Sequence, residues 1–223
     1  MSMTMFFQAF AASSTRSCPR AAVVVGRLVL SMTTSASSGG TGGIAMGPGT
    51  LVGARTALLL ADALTPDVTA AARAALAMHG YLRYALIDRG RYDFIDDPVP
   101  ALCIMLQQLA AQHTQRDLQI VEARALRFGP GDYALAHHDP FHDGMPIEVM
   151  ADLSVAPRAP LSEAGVYYRR RGQAFFVVPV QPGAVSIVER GPAVHHNHGY
   201  VSLRYRDAEV VRVVLLLRDR SAK

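Results

Sequence analysis

An imidazole and a carboxylate that could bind one metal ion together stand two residues apart in Gly131-Asp132-Tyr133-Ala134-Leu135-Ala136-His137-His138-Asp139. In a strand, residues i and i+2 project to the same face, so His137 and Asp139 would point together while His138 points away. Joined by a distant histidine, they make a two-histidine, one-carboxylate facial triad, which leaves three positions open on Fe(II) for oxygen chemistry. Histidines for that role follow in His195-His196-Asn197-His198. Further on, Arg212 interrupts a continuous apolar stretch, and a guanidinium in such a strand needs a buried anion.

The elements that must position these groups are legible from periodicity. Thr65-Pro66-Asp67 is a helix start, with Thr as N-cap and Pro in the first turn, and the Ala-rich run to Met78 continues it until Gly80. Tyr81 to Asp88 alternates as a strand, and a second helix is expected from about Pro100 to His113, with Leu102, Met105, Leu106 and Leu109 on one face. From Leu118 the pattern changes to period two, broken by Gly, Pro and Asp. Strands are expected near Leu118–Phe128, Asp132–His137, Ile147–Val155, Gly165–Arg169, Ala174–Val178, Ala184–Glu189, His195–Arg206 and Glu209–Arg218. Eight short strands favour a jelly-roll or cupin-like double sheet, and helices before strands make the class α+β. Arg169-Arg170-Arg171-Gly172 reads as a charged hairpin tip, and one of Tyr167 and Tyr168 must face the interior.

With 223 residues, 50% of them hydrophobic and 18% charged, the chain can bury one sizeable core. Its formal charge of +4 is no sign of a nucleic-acid partner. Arg16, Arg20 and Arg27 lie in the first fifty residues, which hold no acidic residue, and the rest of the chain holds 19 of the 22 basic residues against 18 acidic ones. Residues 1–50, rich in Ser, Thr, Ala and Gly, read as a disordered extension or an organellar transit peptide, which would place the protein in a mitochondrion or plastid; without such a signal the expectation is cytoplasmic. Residues 51–220 would form the domain, with its β core at about 118–219. Two distant cysteines exclude a disulfide framework, and the run from Ala21 to Leu30, interrupted by Arg27, is about half of the ~20 residues a membrane-spanning helix needs.

The order of these motifs resembles the Fe(II)/2-oxoglutarate-dependent oxygenases, the superfamily of prolyl hydroxylases and AlkB-type demethylases. The likeness runs from about Leu118 to Asp219 and includes the lead-in Gly131-Asp132-Tyr133, the Gly165-Val166-Tyr167-Tyr168 strand, Pro182 to Val188, the histidine cluster and Arg212 to Asp219. It implies a double-stranded β-helix with the N-terminal helices packed on the major sheet. It also implies Fe(II) held by His137, Asp139 and a later histidine, with Arg212 pairing the distal carboxylate of 2-oxoglutarate through its planar fork. In a hairpin with a three-residue turn at Arg206 to Ala208, Ser202 would pair with Arg212, so His198 shares its face and is favoured as third ligand. His195 stays open, because AlkB-type members have a longer gap between ligand and arginine and a second arginine six positions on, as Arg218 is here. Val213 and Val214 stand where many members have Arg-x-Ser, so a hydroxyl assisting the carboxylate would come from Tyr133 or Ser202.

The implied activity is oxidative decarboxylation of 2-oxoglutarate coupled to C–H hydroxylation or N-demethylation. Two other classes fit parts of the pattern: a non-oxidative zinc hydrolase, and a cupin-like binding module without chemistry. His138, His142 and His196 read as satisfied or exposed. Substrate choice would reside in the loops Pro140–Pro146 and Ala156–Ala164, and nothing in them names a ligand.

Overall fold

The helices form where capping and composition favour them. Thr65 accepts a hydrogen bond from Val68 N at the head of α1 (Pro66–Ala77), and Gln115, with a φ of 55°, closes α2 (Pro100–Thr114). A computed structural model of the chain describes residues 50–52, 55–135, 147–155, 161–190 and 194–220. The N-terminal extension, the His137/Asp139 pair, the whole of the Pro140–Pro146 loop and residues 156–160 of the other substrate loop lie outside the described residues. Among the described residues no helix is long and apolar enough to cross a membrane.

Among the described residues twelve antiparallel strands join in one sheet, eleven of them along a single path. They are β1 (Thr50–Val52), β2 (Arg55–Leu60), β3 (Leu82–Leu86), β4 (Gly90–Asp96), β5 (Leu118–Phe128) and β6 (Tyr133–Ala134), then β7 (Ile147–Asp152), β8 (Val166–Arg170), β9 (Gln173–Val178), β10 (Val185–Glu189), β11 (Val194–His198) and β12 (Val210–Asp219). The order β10-β7-β12-β5 makes one face of a jelly roll and β6-β11-β8-β9 the other, with β4 bridging β5 to β6. This is a double-stranded β-helix of class α+β. Two expectations needed correction. The strand expected over Tyr81–Asp88 ends at Leu86, turns, and returns as β4, which bridges the two faces; the strand expected over His195–Arg206 stops at His198.

Period two divides the first face cleanly. Val211, Val213, Leu215 and Leu217 of β12 pack with Leu76 of α1 and with Leu102 and Leu106 of α2. Small residues such as Ala110, Ala123, Ala125 and Ala151 fill the same layer, as close packing of a helix on a sheet requires. The alternate residues of β5, β7 and β12 therefore turn inward, between the two sheets.

Asp132, just before β6, ties the β3–β4 hairpin to the barrel. Its buried carboxylate accepts from Arg83 at 2.5 and 3.0 Å, from Arg91 at 3.0 Å and from Gly129 N at 2.9 Å. Burial alone would push its pKa up, but Arg83, Gly129 and Arg91 together hold it below the usual carboxylate range. Because the folded-state pKa is depressed, the stabilisation is present above the unfolded value of about 3.9 and is lost as pH falls through the folded one. Asp132→Asn should destabilise the protein by about 1–3 kcal/mol at pH 7 in urea denaturation, with the gap from wild type closing toward pH 3. Equal stability of the two proteins at pH 7 would contradict a stabilising role.

Candidate functional site

Arg212 is an inward residue of β12, 1% exposed and set between neighbours that face the helices. Nη2 donates to the Ala164 carbonyl at 2.8 Å and Nη1 to His198 Nδ1 at 3.1 Å, while Nε is buried without a partner. Asp152 lies opposite in register, but its carboxylate accepts from Ser154 N at 2.8 Å and Gln181 N at 2.9 Å. Among the described residues Arg212 forms no ion pair. A buried cation held only by a carbonyl and an imidazole has a place for an anion. Burial lowers the Arg212 pKa from its ordinary value, which Asp152 and Tyr168 partly offset.

β11 presents alternate residues to the same interior. His198 is 3% exposed and stacks on Phe128 at 4.8 Å; His196, two residues earlier, lies edge-on to it at 5.3 Å. Burial first, and then the charge of Arg212, hold the His198 imidazole well below its usual pKa, so it is neutral. A guanidinium can only donate, so His198 Nδ1 is the acceptor and the ring proton sits on Nε2.

Beside His196 lies a buried carboxylate. Glu148 of β7 is fully buried, paired with Arg190 and accepting from the Tyr168 hydroxyl at 2.5 Å. Its Oε2 is 3.3 Å from His196 Nδ1, a contact short of full hydrogen-bond geometry. Burial would raise the Glu148 pKa, but Arg190 and His196 hold it well below the carboxylate range, and the same burial and carboxylate push the Tyr168 phenol up. Of the two neighbouring tyrosines, Tyr168 is thus the inward one.

His195 takes the opposite face: it pairs in register with Arg169, whose Nε donates to Asn197 Oδ1. The hairpin expected to set Ser202 beside Arg212 does not form, because β11 and β12 do not pair and stand on different faces of the jelly roll, and turns fill the connection. Ser202 Oγ accepts from Arg204 N, and the Tyr133 hydroxyl donates to the Ile87 carbonyl; neither is a partner of Arg212. His137 and Asp139 lie outside the described residues, and among the described residues no three His, Cys, Asp or Glu side chains converge as a metal site. Glu148 and Arg190 escaped the sequence reading, although a glutamate in the six-residue run Ile147 to Asp152, every member buried, carried a signal.

A cavity of about 100 Å³ opens on this cluster, lined by His196, His198, Glu148, Arg190, Tyr92 and Arg124 among others. A larger cleft of about 210 Å³ between Leu161–Ala164 and Tyr200–Tyr205 contains Ser202 but none of the buried ionisable groups. The smaller cavity is the one that the buried ionisable groups line.

No protein-family model and no curated protein sequence matches the chain. Solved structures do. A 2OG-Fe(II) oxygenase family oxidoreductase from Burkholderia pseudomallei aligns with a TM-score of 0.57 at 13% identity, over 74% of this chain and 88% of that one. A Pseudomonas putida prolyl-4-hydroxylase aligns at 0.55 and 16% identity, over 74% and 92%. HygX from Streptomyces hygroscopicus, solved with nickel, 2-oxoglutarate and hygromycin B, aligns at 0.54 and 11% identity, over 74% and 83%. The chain has the fold of the 2OG-Fe(II) oxygenases.

The carbonyl that holds Arg212 depends on one close backbone approach. A Cβ on Gly199 would lie 1.8 Å from the Glu163 carbonyl oxygen, and Gly199 N donates to Gly165 O at 2.8 Å. Gly199→Ala should displace the segment around Ala164 and cost about 1–3 kcal/mol in urea denaturation; an unchanged midpoint would contradict this packing.

Proposed function

We propose that the chain is an Fe(II)- and 2-oxoglutarate-dependent dioxygenase acting on a C–H bond of a substrate still to be identified. The observation that carries this reading is Arg212, a buried guanidinium on the eighth strand of the jelly roll with no carboxylate partner among the described residues. Its free Nε and its planar fork suit the distal carboxylate of 2-oxoglutarate. The neighbouring structures support the same co-substrate, one of them having been solved with nickel and 2-oxoglutarate bound.

Iron fits the donor chemistry: neutral imidazole from β11, with His137 and Asp139 as the remaining ligands that the sequence offers. Bound iron and 2-oxoglutarate would supply oxidation by O2, in which the 2-oxo acid takes up one oxygen atom to give succinate and CO2 and the other is delivered to a substrate C–H bond. The protein's part is to bind and orient. Arg212 anchors the co-substrate's far end, His198 and Ala164 hold Arg212, and the two sheets keep water from the interior. Hydroxylation would be the outcome at a simple carbon, and demethylation at an N-methyl group. A zinc hydrolase or an inert cupin-like module would leave the buried charge of Arg212 without use.

Asp139→Ala should abolish iron-dependent succinate formation. Arg212→Ala should raise the KM for 2-oxoglutarate about 100-fold, as expected for loss of a charge-assisted bidentate contact. Succinate release measured with each variant checks both, and an unchanged rate in Asp139→Ala would overturn the assignment.

A further inference from the structure

We infer that the metal-facing histidine of β11 is His196, oriented by Glu148, and that His198 is instead a positioning residue for Arg212. The inference rests on the iron and 2-oxoglutarate reading above and assigns roles within it.

Proton bookkeeping separates the two rings. His198 offers Nδ1 to Arg212 Nη1 at 3.1 Å, and the guanidinium has no lone pair to return. Nδ1 must therefore accept, which leaves the proton of the neutral ring on Nε2. Neither nitrogen then has a lone pair for a metal ion. Placing the proton on Nδ1 would set two donors against each other at 3.1 Å and cost Arg212 one of its two partners.

His196 has the opposite arrangement. Its Nδ1 lies 3.3 Å from Glu148 Oε2, and an ionised carboxylate can only accept, so the ring proton belongs on Nδ1 and the Nε2 lone pair is free. The contact falls short of full hydrogen-bond geometry, and no other partner of His196 Nδ1 competes with Glu148 among the described residues. Carboxylate behind imidazole is the arrangement that fixes the tautomer of a metal-bound histidine and raises its basicity. Glu148 is well suited to the role, because Arg190 and the Tyr168 hydroxyl lock its carboxylate at full burial. A buried charge pair of this kind is weak evidence for stability alone.

Position agrees with protonation. Both rings border the cavity, but the His196 side chain is 21% exposed there, whereas His198 is 3% exposed and packed on Phe128. β6 runs antiparallel to β11 with Ala134 opposite His198. Its C-terminal end therefore points toward the His196 end of β11.

The test uses the full chain and Co(II) as probe, with affinity measured by calorimetry under anaerobic conditions, followed by titration of 2-oxoglutarate into the cobalt-loaded protein. Wild type is expected to bind one Co(II). His196→Ala should lose more cobalt affinity than the roughly 10–100-fold that loss of a ligand's hydrogen-bond partner costs, and Glu148→Gln should fall within that range. His198→Ala should keep cobalt affinity within about threefold and weaken 2-oxoglutarate binding about tenfold, the size of one lost hydrogen bond to a charged group. His196→Gln and His198→Gln, checked by circular dichroism, take the place of any alanine variant that fails to fold. The reverse pattern, cobalt lost with His198 and kept without His196, would overturn the inference while leaving the oxygenase reading intact. A wild-type chain that binds no cobalt would overturn both.

Discussion

The site depends on the burial of one positive charge. Arg212 stands in a strand whose outward neighbours are valine and leucine packed against two helices, and its guanidinium reaches into a space closed by the second sheet. Leaving such a charge without a counterion is costly, by several kcal/mol even after relaxation. The protein accepts that cost with two polar contacts, the Ala164 carbonyl and the His198 ring, and directs the one nearby carboxylate, Asp152, to backbone amides instead. What remains is a preorganised half of an ion pair.

Two other features follow from that choice. A ring that accepts from a guanidinium has its proton fixed on the far nitrogen, so His198 serves the arginine, and in the function proposed here another imidazole is left for the metal. The Glu148–Arg190–Tyr168 cluster then supports His196 from behind, joining β7, the end of β10, β8 and β11 across the interior. The two polar clusters sit in one barrel at positions fixed by strand parity, one at the start of β12 and one at the start of β7.

Much of the fold was legible before any coordinates. Thr65-Pro66 marked the first helix to within a residue, and period two outlined the strands of the jelly roll, because capping and alternation are local signals. The likeness to 2OG-Fe(II) oxygenases showed in motif order. What failed was long-range. Asp88 and Gly90 mark the turn after Leu86, but Gly90 to Asp96 shows only weak alternation, so one strand was read where there are two. The supposed hairpin between β11 and β12 fell because sequence neighbours can stand on different faces of the jelly roll, and with it went the placing of Ser202 beside Arg212. His196 read as satisfied or exposed, and its contact with Glu148, 48 residues away in sequence, is of the long-range kind that local patterns do not carry.

The most direct measurement is a crystal structure of the protein grown anaerobically with Mn(II) and 2-oxoglutarate, the metal located by its anomalous signal. A carboxylate of the 2-oxo acid is expected within about 3 Å of the Arg212 guanidinium, with the metal on the same cavity. A co-substrate bound with Arg212 still contacting only Ala164 and His198, or a metal outside the barrel, would contradict the function proposed for this chain.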